Sequence, residues 1–196
     1  MQLGNAYVQQ VLDTHLQHLE YLEASIARID EQIEAIAQSE IYQASVKKLR
    51  AFRGIGTLGA MLLIAEITDF RRFASAGALM AFLGLVPSEA SSGNRCRSGA
   101  ITKAGNSRCR TQLIESVQHN VKKPTLSPVM KQNLHQVDAR SAGIAIKCMN
   151  RLHKRFWALC AKGKSRQVAI TAIAREFVGF IWAMMVSSES PATVEG

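Results

Sequence analysis

The densest group of residues that could hold a phosphate lies in residues 91–110, SSGNRCRSGAITKAGNSRCR. The stretch contains no acidic residue, and its serines and glycines favour a loop that leads into a helix. Cationic side chains beside a helix N-terminus suit phosphate binding, because charge and backbone N–H groups converge there. We therefore predict a phosphate-binding segment with five cationic candidates: Arg95, Arg97, Lys103, Arg108 and Arg110.

Two serines, Ser91 and Ser92, stand at the head of this segment. A serine hydroxyl can attack a phosphodiester when cations stabilise the developing charge and a base removes its proton. A serine beside a glycine is also an ordinary turn residue. Spacing alone leaves both interpretations open.

A second candidate is the stretch RGIGTLG, in which Gly54, Gly56 and Gly59 match the dinucleotide-binding pattern G-x-G-x-x-G. That fold needs a strand before the first glycine, but the preceding KKLRAFR is basic and helix-prone. The flanks instead favour a helix-hairpin-helix, in which Gly54 and Gly56 let backbone N–H groups approach a phosphate and Ile55 enters the core. The open alternative is that these glycines only allow close helix packing.

Charge is unevenly distributed along the 196 residues, whose net charge is +9. Residues 1–50 carry four basic and seven acidic side chains, whereas residues 51–130 and 131–196 each carry ten basic and four acidic ones. The body of the protein is therefore basic, which favours a polyanionic partner such as a nucleic acid. A generically basic soluble domain is the competing interpretation.

The elements that must position these residues are predicted to be helices. Apolar residues recur with 3,4 spacing from residue 19, a coiled-coil seam rich in isoleucine. We expect a dimer through residues 12–36; a helix folded back on its own domain is the alternative. The seam residues are Leu12, Leu19, Leu22, Ile26, Ile29, Ile33 and Ile36.

The rest of the sequence predicts an all-α fold: an N-terminal coiled-coil helix, then a compact helical domain containing the helix-hairpin-helix and a long basic Ser/Gly loop. Thr57, Ser75 and either Asn106 or Ser107 are predicted helix caps, and Gly84 a helix stop. Residues 86–106 are predicted to be a loop. Further helices are expected over 128–140, 142–161 and 166–186. The domain boundaries predicted are 1–46, 47–186 and a disordered tail over 187–196.

Other residue types are less informative. Four cysteines without zinc-ligand spacing indicate reduced thiols of an intracellular, cytoplasmic protein, and no histidine pair suggests a metal site. The apolar stretch near the C-terminus contains Arg175 and Glu176, which favours a buried helix over a membrane span. Phe156, Trp157, Phe177, Phe180 and Trp182 have helical spacing and are predicted to form core.

Residues 52–115 resemble the C-terminal domain of the DEDD-type, bridge-RNA-guided serine transposases of prokaryotic insertion sequences. The resembling features run in one order: RGIG with an Ala-rich helix, DFRRF, FLGLVPSE, a Ser-Gly pair, then GAITKAGN and a basic helix. The resemblance implies that Ser92 is the DNA nucleophile, with Ser91 as the fallback. It also implies DNA binding by Gly54, Gly56, Arg95, Arg97, Lys103, Asn106, Arg108 and Arg110.

The same resemblance implies DNA and a guide RNA as partners of the complete enzyme, and Mg²⁺ bound by a RuvC-like N-terminal half. We expect that half to be absent from this chain, as in a fragment, a truncated product or an enzyme assembled from two chains. No cofactor is expected here, since the early acidic residues lie along the outside of a helix. We therefore expect little or no catalysis by this chain alone; Ser92-dependent covalent adducts with donor DNA and Mg²⁺ would contradict this.

Two other functions stay open on the sequence. One is a helix-hairpin-helix DNA-binding module without enzymatic activity, in which Ser92 is a plain loop residue. The other is a structural protein–protein domain, which would show no salt-dependent DNA binding.

Overall fold

The structure is a computed structural model that describes residues 6–92 and 95–187, including their side chains except those of residues 89–92 and 95–100. The helices are α1 (Ala6–Ala37), α2 (Gln43–Arg50), α3 (Thr57–Ile67), α4 (Ala76–Phe82), α5 (Ser107–Gln118), α6 (Pro128–His135), α7 (Ala139–Ala161) and α8 (Arg166–Val186). Strands β1 (Pro87–Ser92) and β2 (Arg95–Ile101) lie between α4 and α5, and short 3-10 turns cover Phe70–Arg72 and His119–Val121. The predicted all-α fold is confirmed. The predicted disordered tail falls almost wholly on 188–196, outside the described residues.

Polar side chains cap the N-termini of α4 and α5 at the positions predicted from the sequence. Ser75 Oγ accepts the N–H of Ala78 at 3.2 Å, and Asn106 Oδ1 accepts that of Cys109 at 2.9 Å. Gly84 has φ +65° and ends α4, as predicted. The predicted cap at Thr57 is wrong by one residue, since Gly56 occupies the N-cap of α3 without a side-chain hydrogen bond.

The core is built around α8, which contacts α2, α4, α5 and α7. Phe177 in α8 is fully buried, and its ring meets that of Phe52 edge-on at 5.4 Å. By length and composition α8 is the one described helix that could cross a membrane, but its buried side chains make it the central helix of the fold. The predicted buried helix is confirmed.

The apolar seam of α1 is exposed over most of its length. Ile26 and Ile29 are about half exposed, and α1 contacts α3 near its own C-terminus, where Ala37 is buried. In this structure the seam between Leu19 and Ile29 does not pack against the rest of the chain, and the predicted dimer stays a prediction. A row of exposed leucine and isoleucine side chains is what a helix needs to pair with another helix.

The predicted loop over residues 86–106 is in part wrong, because most of it forms the antiparallel hairpin β1–β2 with an irregularity between Pro87 and Glu89. Its strands consist largely of serine, arginine, cysteine and glycine, which rarely signal a strand. The helix boundary predicted near residue 141 is also displaced. α6 ends at His135, and Asp138 caps α7 by accepting the N–H of Ser141 at 2.9 Å. Hydrogen bonds from the Ser141 side chain, and then from its backbone N–H, lower the pKa of the Asp138 carboxyl.

Candidate nucleic-acid interface

Residues 51–56, called the glycine turn, join α2 to α3 and pack against α5. Gly54 has φ +94°, and a Cβ placed there would overlap the backbone carbonyl oxygen of Ser116. This position therefore requires glycine for both its conformation and its close approach to α5. Gly56 differs, since a Cβ there would meet nothing within 4 Å. Gly59 faces the flexible amide of Gln112.

Two buried asparagines fix the turn from below. Asn120 donates its side-chain N–H to the carbonyl oxygen of Arg53 at 3.2 Å, and Asn133 donates to that of Arg50 at 3.0 Å. Ile55 is buried in the core, as predicted. Sequence reasoning missed both asparagines, one in the 3-10 turn after α5 and the other in α6. The result is a rigid turn, which suits a surface that must present its backbone in one geometry.

Beside the turn lies an open groove that reaches the start of α3. Arg50, Arg53, His119, Thr125 and Ser127 are among the residues that line it. The N-cap residue Gly56 leaves the first N–H groups of α3 without a side-chain acceptor. Exposed N–H groups at a helix start favour an anion. The assignment of this turn as a DNA-binding helix-hairpin-helix stays a prediction.

The two candidate serines occupy the last two positions of β1. In the backbone register Ser92 lies opposite Arg95, and Ser91 lies opposite Cys96. Arg97 pairs with Ala90, one step further from the turn. Residues 93 and 94, and the side chains of Ser91, Ser92, Arg95 and Arg97, lie outside the described residues. The register alone brings the serine positions and two basic positions to the same end of the hairpin.

The base of the hairpin is fixed to the end of α4. The N–H of Thr102 donates to Val86 O at 2.9 Å, and that of Lys103 donates to Gly84 O at 3.1 Å. The N–H of Asn106 donates to Phe82 O at 3.1 Å. Lys103 itself has φ +55°, a conformation that non-glycine residues adopt at a cost. The hairpin therefore extends from a base whose backbone is held at several points.

Glu66 links α3, the helix after the glycine turn, to the start of α5, the helix after the hairpin. It accepts from Asn106 Nδ2 at 2.6 Å and pairs with Arg108 Nη1 at 3.3 Å. Both the nitrogen and the oxygen of the Asn106 side-chain amide are therefore hydrogen-bonded within the protein, whereas the Arg108 side chain is largely exposed. Burial, and then the Glu66 charge, raise the pKa of the neighbouring Cys109 thiol to about 12. Sequence reasoning missed Glu66, although it is the one acidic residue of α3.

The remaining predicted phosphate ligands have different surroundings. Arg110 donates through Nη1 to Leu83 O at 3.0 Å, so one nitrogen of its guanidinium is hydrogen-bonded to the C-cap residue of α4. Lys103 and Arg110 also line a groove with Arg175, between the hairpin base, α5 and α8. The DNA-binding roles of all the predicted residues stay predictions.

The carboxylates of the described residues do not fit a metal ion. Within residues 6–88 and 101–187, no three His, Cys, Asp or Glu side chains come together at metal-binding distance. Glu66 is occupied by Asn106 and Arg108, and Glu176 by Arg151 and Arg155. No chemical step is therefore assigned to a metal held by these residues.

Residues 46–132, which include the glycine turn, the hairpin and α5, match the model of the Transposase IS116/IS110/IS902 family. The matches support this transposase family. A Sinorhizobium fredii protein named "Putative transposase y4qE" is 35% identical over 178 residues, which are 91% of this chain and 46% of that protein. The Pseudomonas aeruginosa "Probable family 20 transposase" is 31% identical over 156 residues, 74% of this chain and 43% of that protein.

A shorter similarity links the chain to a named insertion sequence. The Coxiella burnetii "Transposase for insertion sequence element IS1111A" is 30% identical over 111 residues, 57% of this chain and 30% of that transposase. The chain spans less than half the length of these transposases. The similarity to insertion-sequence transposases therefore covers the candidate interface.

Proposed function

We propose that this chain is the DNA-binding, serine-bearing part of an insertion-sequence transposase. The observation that carries the proposal is the hairpin register, which sets the Ser92 position opposite Arg95 at the turn end of a basic hairpin. In the proposed step Ser92 Oγ attacks a DNA phosphorus and its proton passes to a base. The P–O bond to one DNA strand breaks, which leaves a phosphoserine link and a free DNA hydroxyl that later reverses the reaction.

The arrangement around the hairpin supports a DNA substrate. Residues 91–110 contain five cations and no acid, and the glycine turn presents a helix start beside Arg50 and Arg53. Such contacts hold a phosphate backbone without reading its sequence. Binding of this kind weakens steeply with salt, by about a hundredfold between 50 and 200 mM for about four phosphate contacts.

The complete enzyme in this proposal also uses a guide RNA and Mg²⁺. In this proposal the metal is held by carboxylates of a RuvC-like half of the complete enzyme. Omitting either the RNA or Mg²⁺ from an assay of a complete transposase is expected to abolish exchange, and exchange without them would contradict this part.

Replacing Ser92 by alanine in a complete transposase that carries this domain is expected to reduce strand exchange by at least about a thousandfold, because the nucleophile is removed. DNA affinity and its salt dependence should change less than about twofold, since phosphate contacts are retained. Exchange is followed with supercoiled donor and target DNA, and affinity by fluorescence anisotropy of labelled duplex.

The neighbouring Ser91→Ala variant is the matched control. It should keep most of the exchange activity; the opposite pattern would move the nucleophile to Ser91. Full exchange by both single variants would favour the non-enzymatic DNA-binding module, while DNA binding that does not respond to salt would remove both functions.

The exposed seam of α1 supports self-association through residues 12–36. Ile26→Asp would bury a charge between two apolar helices, so a dimer of twice the 21.5 kDa chain mass should dissociate to monomer. The matched control is Ala27→Asp, which adds the same charge at the next, exposed position off the seam. Light scattering after size-exclusion chromatography measures the mass. A monomeric wild type, or equal dissociation by both variants, would refute the dimer.

A further inference from the structure

Helix α7 and the turn after it carry a second basic surface, away from the hairpin in sequence. Residues 139–166 contain eight basic side chains and no acidic one. Arg151 and Arg155 both pair with Glu176 of α8 at 3.0 Å. Across the described part of the chain the other six take part in no ion pair within 4 Å: Arg140, Lys147, Lys154, Lys162, Lys164 and Arg166.

Trp157 lies on this helix and is 53% exposed, so its predicted place in the core is wrong. Its indole N–H donates to Val121 O at 3.1 Å, and the Phe156 ring meets it edge-on at 5.3 Å. His153 Nδ1 lies 3.0 Å from the same carbonyl oxygen. The indole N–H is thus hydrogen-bonded within the protein, which fixes the ring. The exposed part of the Trp157 side chain is an aromatic surface.

Three lysines are close to this indole in the chain or follow its hydrogen-bond partner. Lys154 precedes Trp157 by three residues, which places it on the same side of α7. Lys122 and Lys123 directly follow Val121, the residue to which Trp157 is hydrogen-bonded. All three lysine side chains are exposed. Lys122, Lys123, Lys154 and Trp157 together are called the tryptophan surface below.

The tryptophan surface is connected to the glycine turn. Arg53 donates through Nη1 to Lys123 O at 2.9 Å, with Lys122 O at 3.5 Å from the same nitrogen. The backbone of residues 121–123 is therefore held from one side by the glycine turn and from the other by Trp157. Arg53 of the glycine turn and Trp157 thus bond to carbonyl groups of the same three-residue segment.

We propose that the tryptophan surface binds single-stranded DNA, with one base stacked on Trp157 and the adjoining phosphates contacting the lysines. Charge selects a polyanion, and the exposed indole selects one with accessible bases, because duplex bases are already stacked on each other. The inference rests on the proposed function for the choice of DNA. It goes beyond that function in assigning a site for an unpaired strand that is separate from the serine hairpin.

The test uses the 196-residue chain and four 12-nucleotide probes of matched length: oligo(dT), the same backbone without bases, a duplex, and oligo(rU). The chain contains two tryptophans, so Trp182→Phe leaves Trp157 as the one source of indole fluorescence. Oligo(dT) should quench this fluorescence, since a stacked base accepts an electron from the excited indole, and the abasic probe should not. The duplex and the RNA should quench it less at equal occupancy.

Affinity variants separate stacking from charge. Trp157→Leu keeps an apolar side chain but removes the ring, and should weaken oligo(dT) binding about tenfold while leaving the abasic probe unchanged. Trp157→Phe keeps a ring and should stay within about threefold of the wild type. Lys154→Ala should reduce the salt dependence by about one phosphate contact, whereas the exposed Lys131→Ala on α6 should not.

Three results would overturn the inference: no Trp157 quenching by oligo(dT), equal quenching by the abasic probe, or stronger Trp157-dependent binding of duplex or RNA. The quenching experiment does not alter Trp157, so it decides even if Trp157→Leu fails to fold. Salt-dependent duplex binding without any Trp157 involvement would refute the tryptophan surface and leave the proposed function standing. A chain that binds none of the DNA probes would refute both.

Discussion

Replacement of Gly54 by alanine is expected to lower the free energy of unfolding by about 3 kcal/mol or more. Two effects add. At φ +94° an alanine adopts a backbone conformation that L-residues avoid, at about 1–2 kcal/mol. Its Cβ would also overlap the Ser116 carbonyl oxygen, and His119 Cδ2 lies 3.1 Å from the same position. Relief would require α5 to move away from the turn, although α5 packs against the central helix α8. Urea denaturation followed by circular dichroism measures the change.

Gly56→Ala is the control for this prediction. It lies two residues along the same turn at φ −93°, and its Cβ would meet nothing within 4 Å. An alanine is a poorer N-cap than glycine, so a loss of about 1 kcal/mol at most is expected. If the two variants unfolded at the same urea concentration, the packing of Gly54 against α5 would not be what holds the turn.

The sequence predicts this turn but not the different roles of its glycines. RGIG between two helix-forming segments predicts a tight turn, and the structure has one. Which glycine needs its missing Cβ depends on α5, which is about sixty residues away in the chain and approaches only in the folded protein. The same limit applies to Asn120 and Asn133, whose acceptors lie in α2 and the turn. Local sequence patterns do not identify contacts between residues that are distant in the chain and meet only in the folded protein.

The hairpin was missed for a different reason. Strands are recognised from alternating β-branched and aromatic residues, and β1 and β2 offer only Ile101 of these types. What fixes them is the base, where backbone N–H groups of residues 102–106 donate to carbonyl oxygens of residues 82–86. The serine and basic positions lie in one segment of the sequence, and their functional roles stay predictions. Their pairing across two strands is a property of the register.

Trp157 shows how helical spacing can mislead when neighbours are considered together. Phe156 and Trp157 are adjacent, and successive helical side chains point about 100° apart. They cannot both face the same core, and Phe156 is the buried one. A pattern that groups aromatic residues by type therefore predicts too large a core. Phe156 and Phe177, whose positions match the buried faces of α7 and α8, are correctly predicted.

Because the hairpin base is where the candidate nucleophile is joined to the helical body, Gly105→Ala is expected to affect both stability and chemistry. A Cβ at Gly105 would overlap Phe82 O and lie 2.8 Å from Gly84 N, both of them backbone atoms. The substitution must break the hydrogen bond from Asn106 N–H to Phe82 O or displace the end of α4. We expect a loss of about 2–4 kcal/mol in the free energy of unfolding.

The companion measurement separates position from stability. In a complete transposase, Gly105→Ala should reduce strand exchange at temperatures where the protein is still folded, since the Ser92 position moves with the hairpin base. Gly143→Ala is the matched control: its Cβ meets nothing within 4 Å in α7, and it should add up to about 1 kcal/mol of stability with unchanged exchange. Normal exchange by folded Gly105→Ala would mean that the hairpin base does not position the serine. The nucleophile would then have to be placed by contacts at the turn end of the hairpin.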